Sequence, residues 1–435
     1  MIPAATDGAV RFGGMMLRDH WLEVPLDHSR PQGERITIYA REVVSAAHVA
    51  AGRDAELPWL LFLQGGPGGQ GPRPGGASGW WGRACEEFRV LLLDQRGTGR
   101  STPVSARSLL TRGDARAQAE YLTHFRADSI VADAEALRQH LLGEHPWAVL
   151  GQSFGGFCTL TYLSFAPHGL SAVYVTGGLP PLRAIPDEVY RATTSTVRAK
   201  NDSYHAAFPE DRERIEAVAA HLRSNDVRLP DESVLTVPRL QGLGIAMGSR
   251  TGVPGLHYLW EQAFIDGPDG AELSETFLHG VYARLTFAGR PLYALVHEAI
   301  YAQGVATSWA ADRVLAENPD FAADAQPLLL TGETIHRHMF EHDPALRPVA
   351  QAADLLAERT DWPELYDLEV LAQNDVPVAA ALYTGDMYVD ADLSRHTAAA
   401  VRGARVWETN AYEHDGLRED PQVLDRLIRM ARGEW

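Results

Sequence analysis

Cysteine is nearly absent: the 435 residues contain two, Cys85 and Cys158. Neither lies in a CxxC pair or a Cys/His cluster, so no disulfide framework and no metal site is expected. Long apolar runs are missing as well, and no stretch approaches the ~18 residues of a membrane-spanning helix. The opening segment MIPAATDGAVRFGG lacks the basic start and unbroken apolar core of a signal peptide, which makes a cytoplasmic setting the expectation. Positive charge is also short, with 39 Lys and Arg against 57 Asp and Glu and a formal net charge of −18. That balance repels nucleic acid and anionic membranes, so neither is expected as a partner. Most of the negative charge serves solubility, and a cationic ligand such as a peptide amino terminus is more at home here than a polyanion. There is no internal repeat and no low-complexity tract.

What is present reads as alternating strands and helices. WLEVPLDH and ERITIYAREVV alternate apolar and polar residues around a turn, as an antiparallel hairpin does. The continuous apolar runs Leu60 to Leu63 and Val90 to Leu93 read as strands covered on both faces, each breaking into a polar or glycine-rich loop. SIVADAEALRQHLLG has helical spacing and ends at Gly143, and SAVYVTGGL is a further buried strand. From 181 to 365 the text changes to helix-like segments such as DEVYRATTSTVRAKNDSYHAAF, DRERIEAVAAHLR and GRPLYALVHEAIYAQ. Strand grammar returns at VPVAAALYTGDMYVD and ARVWETNAYEHDG, and a last amphipathic helix is expected in LREDPQVLDRLIRMARG. The pattern predicts a mostly parallel sheet with helices on both faces, built from 1–180 and 366–435, with a helical cap inserted over 181–365.

Gly151-Gln152-Ser153-Phe154-Gly155 matches G-x-S-x-G between an apolar strand and a helix, the context of a nucleophile elbow in an α/β-hydrolase fold. A serine hydroxyl needs a base, and the base needs a carboxylate to hold its tautomer. In this fold the chain order is Ser, acid, His. His414, the last of the 17 histidines, sits in the final loop and is the expected base. Asp386 directly follows the strand VAAALYTG and is preferred as the acid over Asp390, which reads as a turn cap. Backbone donors for an oxyanion are expected at Phe154 and at Gly66 in Gln64-Gly65-Gly66-Pro67-Gly68. Asp94 and Arg96 read as structural braces. This chemistry needs no organic cofactor and no metal.

Gln64 to Gly68, Asp94-Gln95-Arg96-Gly97-Thr98-Gly99-Arg100-Ser101 and Gly151 to Gly156 together resemble the signature of the proline iminopeptidases, or prolyl aminopeptidases. The resemblance covers the sheet domain, about half the chain. One departure is Gln64, where the family loop usually begins with histidine; the loop's backbone supplies the donor, so the chemistry is expected to survive. The resemblance implies a serine peptidase that removes an amino-terminal proline through an acyl-enzyme. Its substrate is then a peptide with a free amino terminus, whose buried ammonium requires carboxylates from the cap. Glu298, in LVHEAIYAQ, is the closer match to the family position, and Glu261, in HYLWEQAF, is the second candidate. Alternatives are an aminopeptidase of other specificity, an esterase of the same fold, or a non-catalytic ligand-binding relative.

Overall fold

The computed structural model of the chain describes residues 8–183, 185–268 and 270–434. The first seven residues, part of the opening segment read above for a signal peptide, lie outside that range. The strands are β1 (Val10–Phe12), β2 (Met15–Pro25), β3 (Arg35–Ser45), β4 (Trp59–Leu63), β5 (Arg89–Asp94), β6 (Trp147–Gln152), β7 (Leu170–Thr176), β8 (Phe264–Gly267), β9 (Gly270–Leu273), β10 (Val378–Tyr383) and β11 (Ala404–Thr409). Nine of them form one sheet in the order β1-β2-β3-β5-β4-β6-β7-β10-β11, and β8 and β9 form a separate hairpin. β1, β2, β3 and β5 pair antiparallel in turn. From β5 to β11 every neighbouring pair is parallel. This is an α/β-hydrolase fold, and the glycine-rich loop, the elbow and the loops after β10 and β11 all leave the carboxyl ends of parallel strands.

The period of two in a strand explains why the central runs are apolar throughout. Leu61, Leu63, Leu91 and Leu93 face one core, with the helices Ala127–Leu142 and Phe154–Phe165. Leu60, Phe62, Val90 and Leu92 face the other, closed by the helices Gly79–Ala84 and Gln422–Arg432. Between β7 and β10 the chain is mainly helical, and its buried side chains divide in two. Tyr204, Ile215, Leu256, Trp260 and Phe277 form a core of their own. Leu292 to Ala302 and Ile335 to Tyr366 instead contribute to the core under the sheet.

Three elements depart from the sequence expectation. β2 begins at Met15, well before Trp21, because it pairs with β3 along its whole length from Met15 opposite Ser45 to Pro25 opposite Arg35. The last helix is two, Gly416–Glu419 and Gln422–Arg432, interrupted at Pro421, which has no N–H for a continuous helical ladder. GRPLYALVHEAIYAQ is a short helix, Pro291–Val296, followed by a tighter turn over Glu298–Tyr301.

Candidate active site

β6 ends in a bend whose tip is Ser153, a non-glycine residue with φ of 57°. That conformation is unfavourable for an L residue and persists only where its surroundings impose it. Here they do: a Cβ at Gly155 would collide with the carbonyl oxygen of Leu63 at the end of β4, and one at Gly151 with the carbonyl oxygen of Gly155. The small residues flanking the serine are thus a steric requirement of the turn. Phe154 opens the helix Phe154–Phe165, so its N–H belongs to the unpaired, electropositive first turn.

His414 is buried, and its Nδ1 is 2.6 Å from Oδ2 of Asp386. The other oxygen of Asp386 accepts the N–H groups of Tyr388 at 2.8 Å and Val389 at 3.1 Å, which locks the carboxylate in place. The ring of Tyr388 stands edge-on to the imidazole at 4.7 Å, and its hydroxyl donates to the carbonyl of Ile245. Burial alone would lower the pKa of His414; the Asp386 carboxylate, by charge and hydrogen bond, and the charge of Glu333 outweigh it and hold the imidazole above its ordinary value. Asp390, the rival acid, caps the helix Ala391–Ala400 through the N–H of Leu393 at 2.9 Å.

The serine and the His–Asp pair flank two consecutive glycines after β7. A Cβ at Gly178 would collide with the backbone carbonyl of Ser153. A Cβ at Gly177, where φ is 50°, would stand 3.2 Å from Nδ1 of His414 and 3.3 Å from Oδ2 of Asp386. Side-chain-free backbone therefore lets the loops after β6, β10 and β11 converge. On the other flank of Ser153 runs the glycine-rich loop, where a Cβ at Gly65 would come 2.7 Å from the serine Cβ. Gly66 follows with φ of 138°, and the Gln64 side chain lies between those of Gln152 and Arg418.

The neighbouring turn is braced from below. Arg96 is fully buried and holds both oxygens of Asp133, at 2.7 and 2.6 Å, together with the carbonyls of Leu26 and His124. Asp94 accepts from the N–H groups of Gly71 and Arg100 and from the Arg73 guanidinium.

Residues 58–255 match the family model for the alpha/beta hydrolase fold. The chain is similar to a proline iminopeptidase of Aeromonas sobria, 50% identical over 422 residues, which is 96% of this chain and 97% of the relative. It is also similar to the proline iminopeptidase aneH of Aspergillus aculeatus, 36% identical over 94% of this chain and 92% of that one. The chain belongs to the proline iminopeptidase family. A shorter family member, from Neisseria meningitidis, matches over only 27% of this chain at 31% identity. A proline iminopeptidase-related protein of Thermus thermophilus aligns over 96% of the chain with a TM-score of 0.38 and 16% identity.

Within this iminopeptidase framework, the two carboxylates expected to receive the substrate amine have different surroundings. Glu298 is 7% exposed, but its oxygens accept the N–H groups of Ala310 at 3.1 Å and Ala311 at 2.8 Å, the first turn of the helix Ala310–Ala316. Each oxygen thus accepts one N–H from that helix end. Burial, partly offset by those amides and by Thr307, pushes its pKa up to about 7. Glu261 has a 43% exposed side chain and pairs with His257 at 3.3 Å on the helix Gly252–Glu261. There, water already solvates it.

A carboxylate whose charge does act on His414 is Glu333, which the sequence reading missed. The hydroxyl of Tyr293 donates to its Oε1 at 2.6 Å. The backbone of Tyr293 in turn adjoins the glycine loop, where a Cβ at Gly68 would come 2.8 Å from its nitrogen. The Glu333 charge acts on His414, Tyr190, Tyr293, Tyr301 and Tyr388. A signal was available: Leu330-Thr331-Gly332-Glu333 repeats the apolar-Thr-Gly-acid order of Tyr383-Thr384-Gly385-Asp386.

Proposed function

We propose that the protein is an aminopeptidase that releases amino-terminal proline from peptides. Ser153 acts as nucleophile, His414 as general base and Asp386 as the carboxylate that fixes the base. In the first half-reaction the Ser153 Oγ adds to the prolyl carbonyl carbon while its proton passes to Nε2 of His414. The carbonyl oxygen becomes an oxyanion, met by the N–H groups of Phe154 and Gly66. As the C–N bond breaks, the imidazolium returns that proton to the leaving amine, and the shortened peptide departs. Water, deprotonated by the same imidazole, then hydrolyses the prolyl ester and restores the serine hydroxyl. With Nδ1 of His414 donating to Asp386 at 2.6 Å, Nε2 is the nitrogen available to the serine.

The observation that carries the substrate assignment is Glu333. Only one of its carboxylate oxygens has a hydrogen-bond partner among the described residues, and its charge acts on His414. A protonated secondary amine there meets an anion already oriented by Tyr293, whereas a neutral acyl group leaves that anion without a counter-ion. Tyr301, with Phe157 at 5.7 Å and Tyr190 at 6.3 Å between ring centroids, offers apolar walls suited to a pyrrolidine ring. Glu298 supports the site from behind by holding the helix Ala310–Ala316, and Glu261 has no part in it.

Among the described residues no helix is long and apolar enough to cross a membrane. The unpaired, buried Cys85 and Cys158 fit a reducing setting such as the cytoplasm.

The test compares proline and alanine arylamides with a short neutral ester, on the native enzyme and on Glu333→Gln. Preference for the proline amide, lost selectively in the variant, is the expected result. Equal loss on all three substrates removes Glu333 from amine recognition. Turnover of the ester alone favours an esterase of the same fold.

A further inference from the structure

Three side chains near the Glu333 segment are unused by the proposed reaction and share one chemistry. Asp312 lies on the helix Ala310–Ala316, and His336 and His338 follow Glu333 on the chain. One ligand atom from each can be chosen so that all three lie within 4.8 Å of one another. The closest pair, Nδ1 of His336 and Oδ1 of Asp312, is 2.7 Å apart. An ion held at ~2.0–2.2 Å from nitrogen and oxygen donors needs its ligands roughly 3 to 3.5 Å apart, so closure takes shifts of about 1 Å.

Two further observations point to a ligand. The His336 side chain is 3% exposed, yet its Nε2 has no hydrogen-bond partner among the described residues, and Nε2 of His338 has none either. Buried nitrogens without partners are uncommon and call for a specific reason. His336 also lines the same cavity as Glu333, Thr193 and Thr331.

We infer that Asp312, His336 and His338 form a binding site for one divalent transition-metal ion of the zinc class, with water completing the tetrahedron. Two imidazoles and a carboxylate suit zinc, and they do not suit magnesium or calcium, which prefer all-oxygen shells. Cysteine spacing could not reveal the site, because its ligands are two histidines two residues apart and an aspartate 24 residues before the first of them. The ion would tie the segment carrying Glu333 to the helix whose amino end Glu298 holds. It takes no part in acyl transfer.

The experiment is titration of the metal-free full-length protein with Zn2+, and separately with Mg2+, followed by calorimetry and by thermal melting. Co2+ serves as a spectroscopic probe of tetrahedral nitrogen and oxygen ligation. One Zn2+ per chain with a micromolar Kd, a raised Tm and no response to Mg2+ is expected. Asp312→Asn and His338→Ala should each weaken Zn2+ binding by at least about tenfold. The double variant His336→Ala/His338→Ala should abolish both the rise in Tm and the Co2+ bands. If that variant does not fold, the two single substitutions decide the question. Zn2+ binding no tighter than millimolar, or an unchanged Kd in the single variants, overturns the site.

Discussion

Two carboxylates in this protein each sit 2.6 Å from a ring group, Asp386 from the His414 imidazole and Glu333 from the Tyr293 hydroxyl, yet their surroundings differ in kind. Asp386 is 2% exposed and every bond it makes is internal, with His414, Tyr388 and Val389 taking both oxygens. Glu333 is half-buried and holds one oxygen in reserve. The first arrangement suits a group that must orient a base and keep still. The second suits a group that must accept a cation from outside. Glu298, buried like Asp386 but accepting from backbone amides, is the third outcome: a carboxylate that holds a helix end.

The comparison can be broken most sharply at the serine. Ser153→Ala is expected to lower kcat by about 10⁵- to 10⁶-fold on amide and ester alike, read by steady-state assay with the fold checked by circular dichroism. Next, Asp386→Asn should cost about 10³- to 10⁴-fold on both substrates, because the amide favours the wrong imidazole tautomer. Glu333→Gln should separate the two carboxylates. A loss of about 10²- to 10³-fold in kcat/KM on proline amides is expected, against less than about threefold on a neutral ester.

Smaller effects sharpen the distinction through pH. On the ester, the acid limb of kcat/KM should lie above the ordinary histidine value of ~6.5, because His414 must lose its proton to act. Glu333→Gln removes a negative charge that favours the imidazolium, so the limb should move to lower pH; a shift upward contradicts the assigned electrostatics. Glu298 should act on stability and not on the amine. Its folded pKa of about 7 lies above the unfolded carboxylate value, so the folded state holds a proton that the unfolded state releases between those two values. Native stability therefore falls as pH rises from about 4.5 to about 7, and this slope should be missing in Glu298→Gln. That variant should also be less stable at low pH by roughly 1–3 kcal/mol, since an amide NH₂ facing one of the two N–H donors cannot accept from it, as either oxygen of the protonated acid can. Thermal melts across that pH range read both effects.

How far the chain could be read depended on how local each signal was. The strands β4, β5, β6 and β10 are apolar runs ending in polar loops, and the triad candidates could be picked because each stands just past such an end. Asp390 could be set aside because an acid ahead of ADLSRH is a natural helix cap, the position it occupies. The misplaced elements failed where a distant partner decided the outcome. β2 is as long as it is because β3 is there to pair with it. Glu261 and Glu298 stand among apolar neighbours in the sequence, which shows that an acid is near a core and not which way its oxygens turn. Glu333 was passed over because a half-buried acid after an apolar run reads as an ordinary loop.

By itself, the sequence determined the sheet, the elbow and the order of serine, acid and histidine, because glycine stereochemistry and strand periodicity act over a few residues. Tertiary structure decided the rest: which carboxylate accepts from a helix end, which one lends its charge to the imidazole, and which histidine nitrogens have no partner among the described residues near Asp312. Those outcomes depend on packing between segments far apart in the chain, where burial and the supply of backbone N–H groups set what each charge can do.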